Sequence, residues 1–570
     1  LGGRADTSEC ARSAGGFAPV SRVSLESILL APPAQKPIRA VALAKPLIGN
    51  DFMLFNSYGF ILGYLPLVWG GFFLIARHSR KLAALWLAAA SVFFYGWWNV
   101  KFVPLLLASI VLNYAVGYAI GHARDARSAR HLLAGGIVAD LALLGLFKYA
   151  NFFVDSINDV LGLNIELAKI VLPLGISFFT FTQIAYLVDV FRGIAKEYDF
   201  IHYVLFVTYF PHLIAGPVLH HKQMMPQFAS ASIYRPQYSS MGIGLTLFTI
   251  GLAKKVLLAD SFGEYADPVF AAAKDGFEPK FIMAWTGALA YTFQLYFDFS
   301  GYSDMAVGLS RMFGVQLPVN FNSPYKAWNV IEFWRRWHMT LSAFLRDYLY
   351  IPLGGNRLGP ARRHVNLMIT MLLGGLWHGA NWTFVAWGGL HGLFLVVNHA
   401  WHALRRRFGF PPGEPAGAAR TAGVLVTFFC VVIAWVMFRA DSLASGLLIA
   451  KGCVGLSGLA LSQKLEGVGE ILRSHGVNTA NALVFTGWFE GNAALNLLGG
   501  VKITFLALTG FLLIWGFPNS QTLVLPECRK DHRVLSHPRF MFWLALTSGC
   551  MAAVALSSIS KISAFLYYQF

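Results

Sequence analysis

From position 53 onward the chain alternates long apolar runs with short polar or basic breaks, and the length of the runs decides what they form. A helix needs about 20 apolar residues to cross the hydrocarbon core of a bilayer. On that measure spans are predicted at about 58–76, 82–98, 102–121, 132–153 and 170–190, then at 241–258, closed by Lys254 and Lys255, and at 281–299. Further spans at 424–438, 443–456, 502–517 and 540–557 give about eleven full crossings of an all-α polytopic membrane protein. Residues 457–500 are mixed in polarity and read as an extramembrane loop with an amphipathic helix.

Two stretches break the pattern. In YVLFVTYFPHLIAGPVLHHKQMMPQF, Pro211, Gly216 and Pro217 interrupt a run short for a crossing. Broken backbone at membrane depth persists only where protein or a water-filled cavity satisfies it, so a re-entrant segment lining a cavity is expected. The second stretch, 320–401, begins polar and aromatic and then turns apolar. Its first half predicts one helix over about 330–350, capped by Asn329 with Glu332 three positions on. That helix carries Arg335, Arg336, His338, Arg346 and Asp347. It is too charged to face lipid and suits the cytoplasmic interface or a protein cavity. The second half, VNLMITMLLGGLWHGANWTFVAWGGLHGLFLVVNHAW, is long enough to cross the bilayer, yet holds His378.

Composition agrees with the pattern. Of 570 residues, 56% are hydrophobic and only 13% charged, and mean hydropathy is +0.55, a balance no soluble surface could cover. The net charge of +17 raises the question of nucleic acid. The basic residues, however, form short clusters between apolar runs, RHSRK and HARDARSARH among them, as cytoplasmic loops do. If the first span enters from outside, both clusters fall in the cytoplasm and the Trp97-Trp98-Asn99 corner faces out. The five cysteines lack metal-site or disulfide spacing. Residues 1–52, rich in Pro, Ala, Arg and Ser, read as a disordered leader. Translation is expected to start at Met53, with residues 53–570 forming the membrane-embedded domain.

An ionisable side chain at membrane depth is a functional hypothesis by default. In GGLWHGANW, glycines 374, 375 and 379 let neighbouring helices enclose His378, and an imidazole held there as the neutral ring can accept a proton. His391, in GLHG, reads as a structural hydrogen-bonding histidine. In FDFSGYSDMAVGLSRMFG, Asp298 and Tyr302 share a helix face, as do Ser300 and Asp304. They are read either as an interhelical hydrogen-bond cluster or as substrate contacts. The basic loop GGNRLGPARRH is either an ordinary cytoplasmic loop or a contact for an anionic donor.

Taken together, VLPLGISFFTFTQIAYLVDVFRG, FPHLIAGPV, FDFSGYSDMAVGLSRMFG, NFNSPYKAWNVIEFWRRWHMTLSAFLRDYLYIPLGGNR and LLGGLWHGANWTFVAWGGLHG resemble the membrane-bound O-acyltransferase family. Within it the resemblance is to the alginate O-acetyltransferase membrane subunits and, more distantly, to the membrane proteins of teichoic acid D-alanylation. It implies a helical bundle around a central tunnel, with re-entrant and interfacial helices. It also implies acyl transfer from a cytoplasmic donor, acetyl-CoA or another acyl thioester, toward an extracytoplasmic polysaccharide such as alginate. A periplasmic partner of the SGNH-hydrolase type is implied as well; no bound cofactor or metal is. By motif, the WHG histidine is His378 and the RRWH histidine is His338.

On this reading His378 is the general base that activates a hydroxyl, and His338 a second base or a donor-orienting group. Asn381 or backbone N–H groups near Gly379 would stabilise the oxyanion, and Arg335 and Arg336 would hold donor phosphates. The alternative is a proton-coupled transporter or channel in which Asp298, Asp304, His338 and His378 form the proton path. Transporters commonly carry internal repeats, and none is visible here.

Overall fold

A computed structural model describes residues 53–195, 199–214, 216–409, 413–461, 474, 483–485, 493–528, 538–559 and 565–566. The expected leader at 1–52, and most of the segment expected to form a loop after 457, lie outside the described residues. Five helices are long and apolar enough to cross a membrane by length and composition: α1 (Gly59–Ala76), α3 (Val100–Gly121), α4 (Ala126–Leu161), α8 (Tyr238–Lys274) and α14 (Gly417–Arg439). Between them run α2 (Arg80–Trp98), α5 (Ile176–Phe191), α6 (Phe200–Thr208), α7 (His221–Ala229), α9 (Phe281–Met312), α10 (Val330–Trp334), α11 (Met339–Leu345), α12 (Gly359–His378) and α13 (Trp382–Arg407). The remaining helices are α15 (Leu443–Cys453), α16 (Ala493–Phe511), α17 (Ser520–Val524) and α18 (Pro538–Ser557). The described strands are one short parallel pair, Leu459–Leu461 with Leu483–Phe485.

Three departures from the sequence reading have local causes. The span expected from 170 starts at Ile176, because Pro173 has no N–H to donate and Gly175 takes a left-handed φ of 71° ahead of the first turn. Lys254 and Lys255 do not close a span: they sit in a π-helical turn, Lys254–Ala259, within α8. Each is paired with a carboxylate of α9, so the helix continues through them. The single helix expected over 330–350 is broken. Asn329 does cap it, its Oδ1 accepting from the Glu332 N–H at 2.8 Å. But α10 ends at Trp334, and His338, with a left-handed φ of 43°, becomes the residue from which α11 starts.

The broken stretch between α6 and α7 is buried, and its backbone polar groups find partners in the protein. Phe210 N–H donates to Ser91 Oγ at 3.2 Å, Val218 N–H to Thr340 Oγ1 at 2.9 Å, and Gly216 N–H to the His212 carbonyl at 3.0 Å. The centre of the bundle is α9, packed along α8 and α14. Close approach of α12 to α13 depends on glycine: a Cβ at Gly375 would lie 2.2 Å from the Phe384 carbonyl oxygen, and one at Gly388 2.3 Å from that of Met371.

Candidate functional site

His378 is the last residue of α12 and is buried, its ring in an aromatic enclosure rather than facing lipid. Trp387 stands edge-on at 5.1 Å, Phe438 at 5.2 Å and Trp377 at 4.9 Å, and the His338 ring centroid is 6.4 Å away. The two histidines of the RRWH and WHG motifs, forty positions apart in sequence, are therefore neighbours.

The His338 ring is held by Asn320. Its Nδ1 lies 3.0 Å from Asn320 Oδ1, which also accepts from Thr340 Oγ1 at 3.0 Å and from the Thr340 N–H at 3.3 Å, while the Asn320 carbonyl accepts from the Met339 N–H at 2.9 Å. Because a backbone N–H must donate, that amide atom is the oxygen. His338 therefore carries its proton on Nδ1 and presents Nε2 as its acceptor. The same contacts hold the left-handed backbone at His338, a conformation a non-glycine residue keeps only where its surroundings impose it. Phe299 of α9 packs edge-on to the His338 ring at 4.8 Å.

Directly after His338, Met339 and Thr340 line a cavity of about 480 Å³. Arg192, Lys222 and Arg346 supply cations to its wall, and Asp189 and Asp347 carboxylates. A hydrogen-bonded chain lies in that wall: Tyr348 donates to Asp189 at 2.9 Å and accepts from His220 Nδ1 at 3.1 Å. Burial draws the His220 ring below the ordinary histidine value of 6.5, with Asp189 and Asp347 acting the other way.

The other residues singled out by sequence are placed differently. Arg335 is 72% exposed and lies 3.8 Å from Glu332, whereas Arg336 donates to Glu332 at 2.7 Å; neither lines the cavity. Asn381 caps α13, its Oδ1 accepting from the Thr383 N–H at 3.0 Å and its Nδ2 donating to the Asp441 carbonyl at 3.1 Å. Asp298 pairs with Lys255 at 2.8 Å and accepts from the Leu566 N–H at 3.0 Å. Asp304 pairs with Lys254 at 2.7 Å and accepts from Ser520 at 2.5 Å and Gln521 at 2.8 Å. Tyr302 stacks between Phe55 and Phe565. His391 accepts from Trp334 Nε1 at 3.3 Å, the hydrogen-bonding role expected of it. Sequence reasoning missed Asn320, the cavity residues Arg192 and Lys222, and Lys148. Only Lys148 carried a signal, as a lone cation inside the apolar run LLGLFKYANFF.

Comparison with known proteins bears on this arrangement. The family model for the membrane-bound O-acyltransferases matches residues 135–438, which include both histidines. The chain is 39% identical over 548 residues to the peptidoglycan O-acetyltransferase of Helicobacter pylori, covering 91% of this chain and 98% of that protein. It is 45% identical over 400 residues to the protein named probable alginate O-acetylase in Pseudomonas aeruginosa, covering 69% of this chain and 73% of the relative. A teichoic acid D-alanyltransferase of Streptococcus thermophilus is 29% identical over 280 residues, 46% of this chain and 68% of the relative.

Proposed function

The chain belongs to the membrane-bound O-acyltransferase family, and from that premise we propose that it moves an acetyl group from a cytoplasmic acyl thioester to a hydroxyl on the outer side of a bacterial cytoplasmic membrane. It is a multi-pass membrane acyltransferase. The acceptor is a cell-surface polysaccharide, reached through a periplasmic SGNH-type partner. The names of the relatives from Helicobacter pylori and Pseudomonas aeruginosa, which concern peptidoglycan and alginate, support a glycan hydroxyl as the class of final acceptor.

The observation that carries the reading is the enclosed histidine pair, with His338 followed directly by Met339 and Thr340 in the wall of a charged cavity. With α1 entering from outside, α5 runs inward and Arg192 follows its cytoplasmic end, so the charged cavity opens toward the cytoplasm. The basic Arg362 and Arg363 at the start of α12 belong to the same side. His378 lies fifteen residues beyond Arg363, about 22 Å along the helix at ~1.5 Å per residue. The cavity, His338 and His378 thus form a sequence from the inner side of the membrane toward the outer.

In the reaction His378 removes the proton of the attacking hydroxyl as its oxygen bonds to the thioester carbonyl carbon, and the thiolate leaves with a proton returned by an imidazole. His338, through Nε2, orients the donor or serves as second base. Acetyl-CoA suits the cavity, whose Arg192 and Lys222 can meet its phosphates, Arg346 being engaged by Asp347 at 2.7 Å. Arg335 and Arg336, both beside Glu332, are less well placed for that task. With both ends of the Asn381 amide engaged, oxyanion stabilisation falls to backbone N–H groups near Gly379. A proton path through Asp298 and Asp304 is disfavoured by their pairing with lysines.

The test is His378→Ala in membranes supplied with radiolabelled acetyl-CoA. Transfer of label to envelope polysaccharide should fall by about 10²–10⁴-fold at normal protein level. Unchanged labelling with lost ion coupling would establish a transporter instead.

A further inference from the structure

We propose that Lys148 is a positioning residue for His378, fixing the end of the helix from which the catalytic imidazole projects. The inference rests on the reading of His378 as the base. Lys148 lies in a π-helical turn, Gly145–Tyr149, within α4. Its Nζ donates to the carbonyl of Trp377, to that of His378 at 3.3 Å, and to Ser177 Oγ of α5 at 3.1 Å. Those three acceptors match the three N–H bonds of an ammonium. The same cation lies 5.9 Å from the centroid of the Trp377 ring. Tyr149, next in the π turn, donates to the Leu376 carbonyl at 3.0 Å.

Two consecutive side chains of α4 therefore hold three consecutive carbonyls of the last turn of α12. Those carbonyls belong to the helix end, where no intrahelical donor follows and the helix dipole is negative. Among the described residues no carboxylate pairs with Lys148, so the helix terminus takes the place of a counter-ion. His378 is the terminal residue itself, followed by Gly379 in extended conformation. Its orientation depends on how firmly this last turn is held. A π turn within a helix commonly marks a functional site, and here it sets Lys148 and Tyr149 against one target.

The experiment uses the full-length protein in native membranes, with maximal rate and KM for acetyl-CoA measured per mole of protein. Lys148→Met should lower the maximal rate 10- to 100-fold while leaving the KM for acetyl-CoA within twofold, since Lys148 does not line the charged cavity. Lys148→Arg, which keeps a cation and donors, should recover at least threefold over Lys148→Met. Ser177→Ala, which removes one acceptor that steers Nζ, should cost two- to fivefold in maximal rate.

A residue that merely supports the fold would change protein level and leave the rate per molecule intact. Such a result, or a loss confined to KM, overturns the proposal. If Lys148→Met fails to accumulate, a normal maximal rate in Ser177→Ala overturns it equally. His378→Ala run in parallel separates the two readings. If that variant is inactive while Lys148→Met is normal, this inference alone fails. If His378→Ala is active, the assignment of the base fails and this inference with it.

Discussion

Asp304 offers the sharpest division between scaffold and site, because sequence left it as either. It is fully buried on α9 and its two oxygens accept from Lys254 of α8 and from Ser520 and Gln521 of α17. Asp304→Ala would strand an ammonium whose side chain is only 15% exposed. Removing one partner of a buried pair costs about 3–5 kcal/mol, since the remaining charge keeps its desolvation penalty without its partner. Against a total stability of ~5–15 kcal/mol, that is a third or more in many proteins.

Replacing both charges by apolar groups removes the penalty along with the attraction, and such exchanges are often neutral. The double variant Lys254→Met/Asp304→Ala should therefore regain most of the loss, short of what Ser520 and Gln521 lose as partners. The assay is thermal unfolding of detergent-purified protein, with acetyl transfer measured per mole of folded protein. A single variant as stable as wild type, or a double variant no better than the single, would refute the scaffold argument. A stable double variant that no longer transfers acetyl groups would place Asp304 in the reaction instead.

Two other outcomes follow from the geometry. Gly375→Ala should separate α12 from α13 and cost about 1–3 kcal/mol, because its Cβ meets a backbone oxygen at 2.2 Å; Gly374→Ala, whose Cβ meets only the Leu345 side chain at 3.2 Å, should be tolerated; membrane level and transfer rate distinguish them. His220, faced by Asp189, Asp347, Lys222 and Arg346, has a folded-state value below the ordinary 6.5, so the stability linked to its neutral ring is full above about pH 6.5 and declines as pH falls toward the folded-state value. Unfolding midpoints of His220→Gln followed from pH 8 to pH 5 should show a shallower decline than those of wild type, and parallel curves would refute the linkage.

The apolar runs made the membrane helices readable, since a long apolar run in water has few other outcomes. Their ends were less readable. Lys254 and Lys255 look like a helix stop to any rule based on local charge, and their burial depends on carboxylates of α9 more than forty residues later, with Asp260 of α8 added at Lys255. The two histidines were legible as two motifs tied to one reaction by the family resemblance, but that their rings lie 6.4 Å apart was not. The break at His338 was not. Residues 330–350 contain no Gly or Pro, and the left-handed turn is imposed by Asn320, which no periodicity connects to it. The cavity was invisible for the same reason: its cations come from the end of α5, from α7 and from the turn after α11, three places with no shared local signal.

Two groups of ionisable residues in the interior are held in different ways, and the distinction separates what holds the bundle from what acts within it. Lys254 and Lys255 are matched by Asp304, Asp298 and Asp260, and their partners extend to Ser520, Gln521 and the Leu566 N–H, tying late segments of the chain to its centre. A charge so satisfied has no capacity left for a substrate whose own charge changes during reaction. The histidines are arranged otherwise: His338 has its proton fixed on Nδ1 by a neutral amide, and His378 is bounded by Trp377, Trp387 and Phe438. Lys148, the interior cation bonded to carbonyls rather than to a carboxylate, is joined to the second group and not the first. If it served only cohesion, an apolar residue in an apolar run would do the same without the cost of taking an ammonium into the membrane. Its contacts with the Trp377 and His378 carbonyls give that cost a purpose in the geometry of the imidazole.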